Sequence, residues 1–253
     1  ILDQRGFIDI PHITRTGQLA TFFPSILPEI EEIRTRDFPW LSKNERVYLD
    51  SAATSQEPLS VKQKWLQLYS EQGRGSNHSH SSLEATSCND AVESVRAKLK
   101  TMFGASQYGV AFTSGTTGAY NMFALNFPFS SDDLLLITEA EHHSQILTVR
   151  NCAQRQSIPV QYVPVDRQGY LDIDWLQKTV KEHASRHPSS KIVLSLIHAS
   201  NITGIVNPVK EIRQLLPEQV FIYLDAAQSA GHLPINVDNL GVDVMGISAH
   251  KMY

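Results

Sequence analysis

Six short apolar runs, at residues 109–113, 134–138, 160–163, 192–197, 220–224 and 242–247, recur along this chain with helix-length segments between them. That alternation constrains the fold more than any other feature. The runs are near-continuously apolar, as strands covered on both faces must be. The stretches 117–125, 144–154, 173–185 and 209–215 between them have helical length and spacing. Strands alternating with helices build a mostly parallel sheet with helices on both faces, an α/β fold of three layers. In such sheets ligands bind beyond the carboxyl ends of the strands, so the polar clusters that follow the runs are where chemistry is expected.

Upstream, residues 1–29 mix Pro11, Gly17, Pro24 and Pro28 with short apolar runs and read as an extended arm. Its Leu19, Phe22, Phe23, Ile26 and Leu27 should bury against this subunit or a partner. A short helix is expected at 29–36, a strand at 47–50 and a helix at 59–69. After the loop 73–80 comes a long amphipathic helix carrying Val92, Val95, Leu99 and Met102, ended by Gly104. The expected division is an arm with its short helix at 1–46 and a large ligand-binding domain at 47–253. A net charge of −4 without a long basic run argues against a nucleic-acid partner. No apolar stretch reaches the roughly 18–20 residues of a membrane span. Cys88 and Cys152 are too few for a disulfide framework and lack metal-ligand spacing, so the cytoplasm is the default compartment. Ile1 is not a natural start, which points to a fragment or processed form and leaves an organelle open, since a targeting segment could precede it.

Four clusters follow the apolar runs. Thr113-Ser114-Gly115-Thr116-Thr117-Gly118 opens a helix with glycines, hydroxyls and free N–H groups, the outline of a phosphate cradle, although a capped strand-to-helix turn has the same appearance. Glu141-His142-His143-Ser144 places a histidine where it could lie over an aromatic ring or exchange protons, or simply cap a helix; no third residue is spaced to complete a zinc site. His198-Ala199-Ser200-Asn201 leads into a turn at Gly204, from which Asn201 could donate to a ligand oxygen. Last, Asp225 and Lys251 each close an apolar run. A carboxylate buried there wants a cation, such as a protonated pyridine nitrogen, and a lysine amine can capture an aldehyde. Pyridoxal phosphate answers both needs. Gln228, Ser248 and His250 stand beside them as further donors. The chain carries no nucleophile elbow, Walker loop or dinucleotide-binding glycine fingerprint.

From Ile33 onward the chain resembles the class V aminotransferase group of fold-type I pyridoxal-phosphate enzymes, and within it the SufS-like cysteine desulfurases. The resemblance rests on Tyr48-Leu49-Asp50-Ser51-Ala52-Ala53-Thr54, Ser114-Gly115-Thr116-Thr117, Glu141-His142-His143, Ser200-Asn201-Ile202-Thr203-Gly204, Asp225-Ala226-Ala227-Gln228 and Ser248-Ala249-His250-Lys251. It implies the three-layer large domain of that fold, with the small C-terminal domain missing. It also implies that Lys251 forms the Schiff base and shuttles protons, that Asp225 pairs with the pyridine nitrogen and that His142 stacks on the ring. Gln228 and Asn201 would contact the ring's hydroxyl side, and Thr117, Ser248 and His250 the phosphate, with Thr116 a weaker contributor. The implied reaction takes sulfur from L-cysteine as an enzyme persulfide and releases alanine, in a homodimer that could hand sulfur to an acceptor protein.

The family's loop cysteine and carboxylate-binding arginine would fall after Tyr253. Cys88 and Cys152 lie on helices and read as packing residues. The loop Asn77-His78-Ser79-His80 lacks the arginine of many SufS-like chains and is similar to the sulfurase domain of molybdenum-cofactor sulfurases. A C–S lyase, an epimerase, an aminotransferase or an inactive fragment with a binding role are the alternatives to desulfuration.

Overall fold

The computed structural model describes residues 27–43, 48–71 and 75–253. Residues 1–26 of the arm expected at 1–29, Val47 of the expected strand and the start of the 73–80 loop lie outside the described residues. Those described fall into two compact units, one drawn from 27–43, 48–49 and 56–71, the other from 50–55 and 75–253.

The first unit holds helices α1 (Leu27–Asp37), α2 (Pro39–Lys43) and α3 (Leu59–Ser70). The α1–α2 corner is fastened by Arg34, whose guanidinium donates to the Leu41 carbonyl at 3.1 Å. On α3 the rings of Trp65 and Tyr69, one helical turn apart, meet at 4.7 Å.

The second unit begins with α4 (Leu83–Met102) and α5 (Thr116–Asn126), then alternates β1 (Leu134–Thr138), α6 (His143–Gln156), β2 (Val160–Val163), α7 (Ile173–Arg186), β3 (Ile192–Ile197), α8 (Val209–Leu215), β4 (Val220–Asp225), α9 (Val237–Leu240) and β5 (Val244–Gly246). The strands form one parallel sheet in the order β2-β1-β3-β4-β5. Every residue of β1 and β3 is buried, which is why their sequences show no polar alternation. Their side chains still divide by twos between the faces. Leu134, Leu136, Leu194 and Leu196 share one core with Leu176 and Val180 of α7 and Ile212 of α8. Leu135, Ile137 and Tyr223 share the other with Tyr120 of α5 and Val149 and Cys152 of α6. The result is the three-layer α/β arrangement the sequence pattern demands.

Three expectations need correction. Residues 109–113 form no strand: the segment is extended, but among the described residues no strand lies alongside to take its backbone hydrogen bonds, and the Val110 carbonyl is satisfied by Arg96 Nε at 3.1 Å. Residues 48–50 are likewise irregular and run into a turn at 51–53. The run 242–247 pairs over only three residues, because Val242 turns its carbonyl to the Tyr108 hydroxyl at 2.7 Å instead of a neighbouring strand. In the other direction β4 runs one residue further than its apolar stretch. Asp225 is a true strand residue, in register between Ile197 of β3 and Gly246 of β5.

The chain passes from β1 outward to β2 on one side and then back across β1 to β3 on the other, so the connections part between β1 and β3. A crevice forms at such a point beyond the strands' carboxyl ends.

Candidate active site

A cavity of about 460 Å³ lies at those carboxyl ends. Lys251, His142, Asp225, Gln228, Asn201, Thr116, Thr117, Ser248 and His250, all nine residues singled out in the sequence, line it. They come from five separate connections, and the sheet register is what gathers them.

The floor is Asp225, 2% exposed at the end of β4. Its Oδ1 accepts from the Ala227 N–H at 2.9 Å and its Oδ2 from Gln145 Nε2 at 2.7 Å. Burial pushes the carboxyl's pKa up, while these two donors and the nearby His142 and Lys251 pull it back. A second acid lies beneath the site. Glu141, 6% exposed, accepts from the Thr138 hydroxyl at 3.0 Å, and its other oxygen has no hydrogen-bond partner among the described residues. Burial and then the charge of Asp225 hold Glu141 well above the ordinary carboxylate range. Of the two, Asp225 has a donor on each oxygen, whereas Glu141 has one oxygen without a hydrogen-bond partner among the described residues.

Lys251 sits on a single 3₁₀ turn, Ala249–Lys251, beyond β5. Its Nζ has no hydrogen-bond or ion-pair partner among the described residues. Partial burial lowers its pKa and Asp225 raises it. The net lowering favours the neutral amine, the form a carbonyl nucleophile needs.

The two ends of the cavity are tied together by one hydroxyl. Ser248 Oγ lies 2.7 Å from Thr116 Oγ1 and accepts from the Thr116 N–H at 3.3 Å. Helix α5 starts here because Gly115, at φ 100°, turns the chain where a side chain would be strained. A Cβ on Gly115 would meet only Ser248 Oγ, at 3.9 Å, so the backbone is open towards the cavity. With the Thr116 N–H taken, the next N–H groups of the helix opening, at Thr117 and Gly118, are those free for an anion.

His142 caps α6. Its Nδ1 accepts from the Ser144 N–H at 3.3 Å and lies 2.8 Å from Ser144 Oγ. A backbone N–H can only donate, so Nδ1 carries no proton and the neutral ring holds its proton on Nε2. Burial, then His143, whose ring is 4.0 Å away, and Lys251 lower the pKa of His142.

The turn 50–55 closes the other side. Gln228 Nε2 donates to the Ala52 carbonyl at 2.7 Å, and the Ser55 N–H donates to the His250 carbonyl at 2.9 Å. His250 Nδ1 pairs with Thr54 Oγ1 at 3.1 Å, so Nε2 is the ring nitrogen left for a ligand. Asn201 is held at the rim by a turn in which Ser200 Oγ accepts from Ile202 and Thr203 and Gly204 adopts φ 73°.

Sequence reasoning missed Gln145 and the tie from Gln228 to Ala52, and it named Ser144 within its cluster without a role. Only the one-turn spacing of Gln145 from His142 on α6 could have hinted that it faces the same site. Cys152 is fully buried, its Sγ donates to the Ala124 carbonyl at 3.1 Å, and burial pushes its thiol pKa up. Neither it nor Cys88 lines the cavity.

The donor set suits pyridoxal phosphate: helix N–H groups and hydroxyls for a phosphate, a buried carboxylate for a pyridine nitrogen and a half-buried lysine amine for an aldehyde. Among the described residues no cluster of three His, Cys, Asp or Glu side chains is placed to hold a metal.

Residues 47–253 match the family model described as Aminotransferase class-V. The chain is 33% identical over 211 residues to the cysteine desulfurase IscS of Dictyoglomus turgidum, covering 82% of this chain and 51% of the relative. It is 36% identical over 211 residues to a probable cysteine desulfurase of Halalkalibacterium halodurans, covering 81% and 50%. The apo structure of the Thermococcus onnurineus cysteine desulfurase superposes with a TM-score of 0.77 at 27% identity, over 88% of this chain and 53% of that one. The cysteine desulfurase CsdA of Escherichia coli gives a TM-score of 0.71 at 27% identity, over 87% and 54%. The chain thus spans about half the length of the relatives it matches.

Proposed function

This chain belongs to the class V aminotransferase family, whose cofactor is pyridoxal phosphate, and from that premise we propose that it is the cofactor-binding part of a cysteine desulfurase. The proposed reaction removes sulfur from L-cysteine, leaves alanine and deposits the sulfur on an enzyme cysteine. One observation carries the cofactor assignment: Asp225 and Lys251 face one cavity whose other end is an open helix N-terminus pinned to Ser248.

Bound there, pyridoxal phosphate supplies an aldehyde that captures amines and a ring that accepts the electron pair released at the substrate's α-carbon. The chain's own groups do the rest. Asp225 would pair with the ring nitrogen, since a buried carboxylate without a cation is costly. Thr117, Ser248 and His250, with the α5 N-terminus, would hold the phosphate, and Thr116 would act through Ser248. His142 would face the ring, and with Nδ1 engaged by Ser144 it has only Nε2 from which to exchange a proton. Gln228 and Asn201 would contact the ring's hydroxyl side. Lys251 would supply the amine for the aldehyde and, when free, a base within the same cavity.

The compartment proposed is the cytoplasm, in keeping with two free cysteines, and a homodimer is the proposed assembly. Among the described residues no helix is long and apolar enough to cross a membrane. The test is to add pyridoxal phosphate and L-cysteine to the protein. Expected are a visible absorbance band that is absent in Lys251→Ala, and alanine formed together with sulfide in the presence of a thiol reductant. No band in the native protein would overturn the cofactor assignment; a band with pyruvate, racemised amino acid or transaminated product in place of alanine would overturn the reaction.

A further inference from the structure

We propose that Gln145 is a positioning residue for Asp225, one that keeps this carboxylate ionised and aimed and thereby sets how strongly the site prefers a ring bearing a nitrogen. The inference rests on the cofactor assignment above and concerns a residue outside the cavity lining.

Gln145 lies on the first turn of α6, 80 positions before Asp225, and is completely buried. Its Nε2 reaches Asp225 Oδ2 at 2.7 Å, while its Oε1 has no hydrogen-bond partner among the described residues. Leaving a buried amide oxygen unpaired is unfavourable, so the orientation needs a cause. Reversing the amide would place Oε1 against the carboxylate, oxygen facing oxygen, with no proton between them while Asp225 is ionised. The amide therefore gives up its own acceptor to serve the charge. A leucine would fill the same space, so packing alone does not explain an amide here.

The bond also fixes geometry. Ala227 N–H holds Oδ1 and Gln145 holds Oδ2, one donor to each oxygen. Each oxygen keeps a second lone pair, and the group cannot rotate without losing both bonds. The Ala227 donor belongs to the strand end itself; the Gln145 donor comes from another layer of the fold. It is the part of the arrangement that a substitution can remove while leaving β4 intact.

The experiment compares two non-covalent ligands of the holo-competent protein freed of cofactor: pyridoxine 5′-phosphate, which has the ring nitrogen but no aldehyde, and its analogue with carbon in place of that nitrogen. Binding is measured by calorimetry in wild type, Gln145→Leu and Gln145→Met. Loss of one hydrogen bond to a charged group corresponds to roughly a 10- to 100-fold weaker Kd. That weakening is expected for pyridoxine phosphate and not for the carbon analogue, and the ultraviolet spectrum of bound pyridoxine phosphate should shift towards the neutral ring. In an Asp225→Asn background, Gln145→Leu should change neither affinity further. Equal weakening of both ligands would mean a merely structural role and overturn the proposal, as would unchanged binding of both. Failure of the wild type to prefer the nitrogen ring would instead overturn the assignment of Asp225 itself.

Discussion

Removing the Ser248 hydroxyl should loosen both ends of the cavity together. Among the described residues Ser248 Oγ links the opening of α5 to the turn that carries Lys251: it meets Thr116 Oγ1 at 2.7 Å and the Thr116 N–H at 3.3 Å, and the Ser248 carbonyl accepts from the Lys251 N–H at 3.0 Å. Both residues are buried, Ser248 at 6% and Thr116 at 5% exposure. Ser248→Ala forfeits a neutral hydrogen bond and leaves Thr116 Oγ1 unpaired, which together cost about 2 kcal/mol. For a chain of this size that is a fall in Tm of roughly 4–8 °C. Thr116→Val keeps the volume and removes the other half of the pair. Because the two residues share one bond, the double variant should cost nearly the same as the worse single one, with a coupling of about 1–2 kcal/mol. Urea unfolding of the four proteins in the cycle measures this, and retention of pyridoxal phosphate after gel filtration reports on the site. If the two single costs add to within about 0.5 kcal/mol, the hydroxyl pair does not join the cradle to the lysine turn, and the reasoning fails.

Gly246→Ala should destabilise by about 1–3 kcal/mol, since the new methyl would meet Tyr223 Oη at 2.2 Å and Thr116 Cγ2 at 3.2 Å, and Tyr223, fully buried with its ring 4.4 Å from that of Tyr120, has nowhere to go; thermal melts check it. His198, His142 and His183 are all held below the ordinary histidine pKa chiefly by burial, so the unfolded chain takes up protons first and stability should fall as pH drops through about 6.5. His198→Asn should flatten that slope as pH falls through about 6.5, and an unchanged slope would refute it. Light scattering of the intact protein should give twice the monomer mass, and a monomer at micromolar concentration would overturn the proposed homodimer.

Most of the scaffold was legible because it is local. A strand buried on both faces must be apolar throughout, and β1 and β3 are; α6, α7 and α8 announced themselves by length and spacing, and α8 matched to the residue. Where the reading failed, a non-local partner decided. Residues 109–113 have strand composition, but a strand exists only where a neighbour offers hydrogen bonds, and none does among the described residues. The short helices at Pro39–Lys43 and Val237–Leu240 have too few residues for any periodicity to show.

The same division holds at the site. The possible chemistry is already limited by the residues themselves to what an acid, an amine, a histidine and a hydroxyl-rich helix start can do, and the acid, the amine and the histidine each follow an apolar run that reaches the same edge of a parallel sheet. Only the tertiary structure decided how those groups are tuned. That Gln145 donates to Asp225, that Ser248 joins the turn of Lys251 to Thr116, that Ser144 leaves the proton of His142 on Nε2 and that burial and the charge of Asp225 push Glu141 up are matters of ångströms between side chains. A strand register fixes such distances, and for pairs 80 or 132 positions apart no spacing along the chain records them.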